Sequence, residues 1–354
     1  MAVKHLICGL LLLAVLPACR AIQLPTAGRL PAAVPTDSLA ERMLLYQRDN
    51  GGWPQPGGDA IDYRKPISDA LRQTLLASKS RLDATIDDRA TTLEIRQLLE
   101  AWNRTRNPAY RDAAQRGVRY LLQAQNQAGG WPQFYPDSSG YHKHITFNDQ
   151  AMVNVLWVMA DVAARRGNFA DLDAGLAPRA EAAVSRGIDC ILKTQVVQNG
   201  VRTVWCAQHD SQTLKPAKAR AFELPSLSGN ESVGIVQFLM SRPNPTPAIR
   251  QAVDAAVAWF ERSKLVGIRV QDVADARQPK GHDRVVVADP GSVLWARFYD
   301  LDTNRPFFTG RNSVPRPALA DIENERRVGY AYYGIWPAKL LSTDYPAWVN
   351  QWGK

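Results

Sequence analysis

The chain has 354 residues, 45% of them hydrophobic and 22% charged, with a net charge of +9. That composition is ordinary for a globular protein able to bury one large core or two smaller ones. The positive charge suits a polyanion, either nucleic acid or an acidic polysaccharide, and is equally compatible with a basic surface that has no such partner.

The first 21 residues read as a signal peptide: Lys4, an apolar run from Leu6 to Leu16, then small residues. Leu16-Pro17-Ala18-Cys19 also has the shape of a lipobox, so cleavage falls either before Cys19, with a lipid on it, or near Ala21. The chain is therefore expected to be exported: periplasmic, outer-membrane lipoprotein or secreted, touching a membrane only through that anchor. No later segment approaches transmembrane length. Of the four cysteines, Cys8 and Cys19 belong to the signal. Cys190 and Cys206 remain, either bridged in an oxidising compartment or free and buried. No Cys/His spacing suits a transition metal.

Residues 22–38 are rich in proline and alanine and read as a linker, leaving 39–354 as the main domain. A helix is expected over about 38–49, with Ser38 as its N-cap. It ends at Asn50-Gly51-Gly52-Trp53-Pro54-Gln55, and the pattern then returns: Tyr120–Gln125 leads into Gly129-Gly130-Trp131-Pro132-Gln133. A weaker third copy runs from Ile188–Gln195 to Trp205-Cys206-Ala207-Gln208. Trp53, Trp131 and Trp205 are 78 and 74 residues apart, a period that fits a helical hairpin plus a loop. These tryptophans are expected to be packing wedges before sugar-stacking platforms. Thr91–Asn103, Tyr110–Ala124, Asn148–Arg166, Arg179–Lys193 and Thr246–Lys264 place apolar residues at helical spacing. Strand-like runs are few, the best being Arg284–Ala288. The expected fold is mostly α: an incomplete (α/α) toroid of antiparallel helix pairs, with long loops gathered at one end.

Thr203–Ser232 is the longest polar stretch without a period. It is interrupted by Pro216 and Pro225 and anchored by Trp205, Phe222, Leu224 and Leu227, which describes an ordered active-site loop. Asp149 lies where a loop meets a helix start, so it or Asn148 could simply be a cap. Asp210 follows His209 with no capping role evident. Two such carboxylates suit a hard cation such as calcium, although no contiguous calcium loop is present. Lys215, Lys218, Arg220, Arg284, Arg311 and Arg327 are either solvated charges or one cationic cleft. On generic chemistry His282 or Lys280 would be the base.

The blocks HITFNDQAM (144–152), WCAQHD (205–210), TLKPAKARAFELPSLSGNES (213–232), HDRVVVADP (282–290), LWARFYDL (294–301) and ERRVGY (325–330) resemble the polysaccharide lyase family 10 pectate lyases over roughly 40–340. The resemblance implies a toroidal fold and β-elimination of polygalacturonate with Ca2+ by a monomer. It also implies an arginine as Brønsted base. Carried over by block, it makes Arg284 the base, with Asp149 and Asp210 on the calcium side. Asn148, His209, Lys215, Arg220, Arg311 and Arg327 are then substrate contacts. Asp87-Asp88 departs from an expected Asp-Asn, and Asp289–Val293 from an Ala/Pro-rich turn. Two rivals share parts of the pattern. A terpene cyclase would need an apolar cavity, which the charged central loop argues against; a non-catalytic polyuronate-binding module would need the cleft but not the base. An exported chain with no basic run argues against nucleic acid.

Overall fold

The computed structural model describes residues 1–2, 34–137 and 139–352. The signal and most of the linker lie outside the described residues. From Pro35 onward the chain forms one compact unit, and no helix among the described residues is long and apolar enough to cross a membrane.

Among the described residues ten α-helices build it: α1 (Ser38–Tyr46), α2 (Asp69–Ala77), α3 (Thr92–Thr105), α4 (Pro108–Ala124), α5 (Ala151–Ala163), α6 (Leu176–Thr194), α7 (Glu231–Met240), α8 (Pro247–Arg262), α9 (Asn324–Gly329) and α10 (Tyr345–Trp352). Consecutive helices pair as α3/α4, α5/α6 and α7/α8. α3, α5 and α7 then contact one another in one layer and α4, α6 and α8 in a second. α4, α6 and α8 alternate buried apolar and exposed charged residues, so each has one wet face. α5 and α7 are apolar on nearly every side and form the inner layer. This is the expected incomplete (α/α) toroid. α1 is capped by Asp37, whose Oδ1 accepts from the N–H groups of Leu39 and Ala40 at 3.0 Å, rather than by Ser38. The acidic side chain at the N-cap matches the helix dipole as well as its free donors.

The repeated Gln…Gly-Trp pattern is a joint used three times. Gln47 Nε2 donates to the carbonyls of Gly51 and Ala113, both at 2.9 Å. Gln125 repeats this on Gly129 and Ala183, and Gln195 on Thr203 and Ala252. Each glutamine thus ties its own loop to the outer helix of the next hairpin. The tryptophan that follows is fully buried, and its Nε1 returns to the helix before the loop: Trp53 to Met43, Trp131 to Leu121 and Trp205 to Ile191. These rings are structural wedges, as expected. Gly51 and Gly129 have φ of +94° and +89°, and a Cβ there would meet the carbonyl oxygens of Arg116 and Arg186 at 2.5 and 2.2 Å. Only glycine fits that approach.

Cys190 and Cys206 are free and buried, so of the two readings the unbridged one holds. The strand read at 284–288 is part of a longer antiparallel hairpin, Leu265–Ala274 with His282–Ala296, whose base is extended by Tyr333–Gly334. Between Val266 and Ile268 its register shifts, the single residue Gly267 standing opposite the four residues 289–292 of the second strand.

Candidate functional site

Two loops of the same build meet at the ends of the inner helices. Thr85-Ile86-Asp87-Asp88-Arg89 precedes α3, and Thr146-Phe147-Asn148-Asp149-Gln150 precedes α5, 61 positions later at every residue. In both, the fourth residue, an aspartate, and its successor are left-handed: Asp88 and Arg89 at φ 42° and 69°, Asp149 and Gln150 at 49° and 64°. Aspartate tolerates that region because its short side chain can bond locally, but four such residues cost free energy and mark a site held in place by its surroundings. The twist turns the carboxylates of Asp87, Asp88 and Asp149 toward one point, with one oxygen of each within 4.8 Å of the others.

Each carboxylate is oriented by an amide: Gln133 Nε2 donates to Asp87, Gln55 Nε2 to Asp88 and Asn148 Nδ2 to Asp149, all at 2.6 Å. Burial, then the nearby charge of Glu231, pushes the Asp149 carboxyl up to about 6, against a partial pull down from Arg297. Burial, then Asp88, likewise raises Asp87. Three mutually repelling carboxylates supply an all-oxygen donor set that could hold a metal ion, the kind that suits a hard divalent cation.

Facing this cluster is a wall of guanidinium groups. Arg297 is nearly buried, pairs with Glu231 at 3.1 Å and reaches Asp149 at 3.9 Å. Arg220 binds Glu223 in two-pronged fashion, and its charge is felt by Asp87. The Tyr330 hydroxyl joins these pairs, donating to Glu223 at 3.1 Å and accepting from Arg297 at 3.2 Å. A continuous path therefore runs from Arg220 through Glu223, Tyr330 and Arg297 to Asp149. Phe222 is ringed by Arg326, Arg220 and Arg311 at 4.6, 5.0 and 5.8 Å from its centroid. Arg311 and Arg326 share the Glu325 carboxylate. Such forks are matched to carboxylate ligands, and their present partners are carboxylates.

The expected site residues divide accordingly. Asp149, Asn148, Arg220 and Arg311 lie in the cluster or the wall. Among the described residues, Asp149 is grouped with Asp87 and Asp88 rather than with Asp210. Asp210 instead closes a turn, accepting from the N–H groups of Gln212 and Thr213 at 3.0 and 2.8 Å, with His144 Nδ1 at 3.8 Å. The backbone bond from Thr213 is the main pull holding it below the ordinary carboxylate range. His209 is fully buried: its Nε2 accepts from Cys206 N–H and its Nδ1 donates to the Leu214 carbonyl. Burial depresses its pKa to about 4, so it is a neutral strut of the central loop, out of reach of a substrate. Lys215 is exposed on the same loop. Arg284 forms a two-pronged ion pair with its cross-strand neighbour Asp272 at 2.7 and 3.0 Å, and this partner holds its proton more tightly. Arg327 is engaged by Asp283.

Sequence reading missed Arg297, Arg326, Glu223, Glu231 and Tyr330 as site residues, and noted Asp87-Asp88 only as a departure. The parallel Thr-x-Asp/Asn-Asp turns were a readable signal for the acidic half. Of the wall, only Arg220 and Arg311 were read; Arg297, Arg326, Glu223, Glu231 and Tyr330 had no local signal, because the wall draws on the central loop, the strand end at 296–298, the loop after Thr309 and α9.

A family model described as pectic acid lyase matches residues 47–341. A solved family 10 polysaccharide lyase from Cellvibrio cellulosa is similar at 37% identity and a TM-score of 0.74, over 89% of this chain and 92% of that chain. An aspartate-to-alanine mutant of a family 10 polysaccharide lyase from the same organism, in complex with trigalaturonic acid, is similar at 37% identity and a TM-score of 0.74, over 90% and 93%. No curated protein matches significantly.

Proposed function

The chain belongs to the pectic acid lyase family and is a pectate lyase, and from that premise we propose that it cleaves α-1,4-polygalacturonate by β-elimination with calcium held at Asp87, Asp88 and Asp149. The observation that carries this reading is the acidic cluster set against the guanidinium wall. A polyuronate needs both: cations for its row of carboxylates and a strong charge where the reaction builds an enolate. Bound calcium would supply that charge next to the carboxylate of the reacting sugar.

The steps left to the chain's own residues are binding, orientation and proton transfer. Arg297, Arg311 and Arg326 exchange their glutamate partners for successive substrate carboxylates. A base removes the C5 proton, the electrons form the C4–C5 double bond, and the C4–O4 bond breaks with O4 taking a proton. Arg297 and Arg220 are guanidinium groups whose charges act on the acidic cluster, at Asp149 and Asp87, while Arg284 is paired with Asp272 on the hairpin. The family resemblance favours Arg284. A carboxylate partner raises the pKa of both guanidinium groups, Glu223 for Arg220 and Asp272 for Arg284, so electrostatics does not choose between them; Arg220 belongs to the wall beside the acidic cluster, and on that position we assign the base to Arg220. A guanidine gives up its proton only at high pH, so turnover should rise toward alkaline pH.

The test is ultraviolet absorbance of the unsaturated product from polygalacturonate, with and without chelator. Arg220→Lys should abolish it while Arg284→Lys retains most of it. The reverse result returns the base to Arg284. Binding without any absorbance in the wild type would leave a polyuronate-binding module.

A further inference from the structure

The HDR segment, 282–284, has no hydrogen bond or ion pair to the acidic cluster among the described residues, yet it ties the hairpin to the chain after it. Asp283 receives Arg327 in two-pronged fashion, Nε to Oδ1 at 2.9 Å and Nη2 to Oδ2 at 2.7 Å, with both side chains nearly nine-tenths buried. Asn324 Nδ2 donates to the same Oδ1 at 3.0 Å and to the His282 carbonyl at 3.1 Å. The Asp283 carboxylate also accepts from Arg284 N–H at 2.7 Å, and Arg284 is steadied by Asp272. Two of these partners, Arg327 and Asn324, lie on one short helix, α9.

At six residues, α9 cannot hold its shape alone, because a single turn fixes more dihedrals than its hydrogen bonds repay. Its adjacent arginines point to opposite tasks. Arg327 goes to Asp283; Arg326 goes to Glu325 and the Phe222 ring. Tyr330, just past the helix end, joins the Arg220 and Arg297 pairs.

We infer that Asp283 is a positioning residue for substrate binding: by clamping Arg327 it sets the orientation of α9, and so delivers Arg326 and Tyr330 to the guanidinium wall. The inference rests on the reading that this wall holds the uronate carboxylates. Asp283 itself touches no substrate. The clamp gives the hairpin a role that packing alone does not supply, as the seat of a substrate-side helix.

The experiment uses the full chain with polygalacturonate, measuring kcat and KM by product absorbance and affinity by calorimetry. Asp283→Ala should raise KM about tenfold with a smaller fall in kcat, and Asp283→Asn should do so less. Arg326→Ala should raise KM similarly. The Asp283→Ala/Arg326→Ala double variant should be no more than about twofold worse than Arg326→Ala alone, because both remove one function. Exchanging the pair, Asp283→Arg with Arg327→Asp, should recover most of the loss. A folded Asp283→Ala variant with wild-type KM, or losses that multiply in the double variant, overturns the inference. A wild type that yields no unsaturated product refutes the lyase reading instead, and calorimetric affinity of the same variants still decides on the clamp.

Discussion

Replacing Gln47 by alanine tests the repeated joint at its best-packed copy. Gln47 is 3% exposed. Its amide satisfies the Gly51 and Ala113 carbonyls at 2.9 Å, and its Oε1 accepts from Arg116 Nη2 at 2.6 Å. Two lost amide bonds amount to about 2 kcal/mol net, and leaving those carbonyls dry and unpaired adds about 1–2 kcal/mol. At about 2–3 °C per kcal/mol for a domain of this size, Gln47→Ala should lower the melting temperature by roughly 6–10 °C in calorimetry. Gln47→Glu keeps the shape and the Arg116 partner but loses both donors, so it should lose about as much. Gln195→Ala should cost about 1 kcal/mol less, because the Gln195 Oε1 has no partner among the described residues. A Gln47→Ala protein melting within about 1 °C of wild type, or Gln195→Ala costing more than Gln47→Ala, would refute the joint as a source of stability.

The third joint can also be completed. Ala255 stands three residues after Ala252, where Arg116 and Arg186 follow Ala113 and Ala183, and Ala255→Arg should raise stability by about 1 kcal/mol in urea unfolding. Calcium should raise the melting temperature of the wild type but not of Asp88→Asn/Asp149→Asn. Its affinity by titration calorimetry should weaken as pH falls through about 6, where the Asp149 carboxyl takes up its proton. Buried His209, depressed to about 4 from the ordinary imidazole value near 6.5, is neutral in the fold. Its contribution is complete above the unfolded value and is lost as pH falls from there toward 4, with a slope of up to about 1.4 kcal/mol per pH unit; His209→Gln should flatten that part of the stability curve. Glu94, raised to about 7 by burial, has the opposite slope. Its contribution is present below the unfolded value near 4.5 and lost as pH rises through about 7, and Glu94→Gln should remove that loss.

Local pattern carried the fold. Helical spacing and the Gly-Trp punctuation specified the hairpins and their period, because each hairpin buries one face against its neighbours and repeats the same stop. α7 was not read: it is apolar nearly all round and only ten residues long, directly after the polar central loop, so it offers too few turns to show a period. The first hairpin strand, Leu265–Ala274, was missed because its faces are half-exposed and carry Arg269 and Asp272.

The acidic half of the site was legible too, since Asp87-Asp88 and Asn148-Asp149 sit in matching turns and the repeat superposes like positions. Of the cationic half only Arg220 and Arg311 were. ERRV in α9 offers two adjacent arginines with equal claims; only the position of Asp283 sends Arg327 to the hairpin and Arg326 to the site. Arg284 and Arg220 look alike along the chain and each is held by a carboxylate, but Asp272 keeps one on the hairpin while Glu223 keeps the other in the wall beside Asp87. Sequence determined which residue types the chemistry could draw on and which helices would carry them. Which charge meets which depended on tertiary structure, because electrostatic partnership is set by distances between segments that no local pattern encodes.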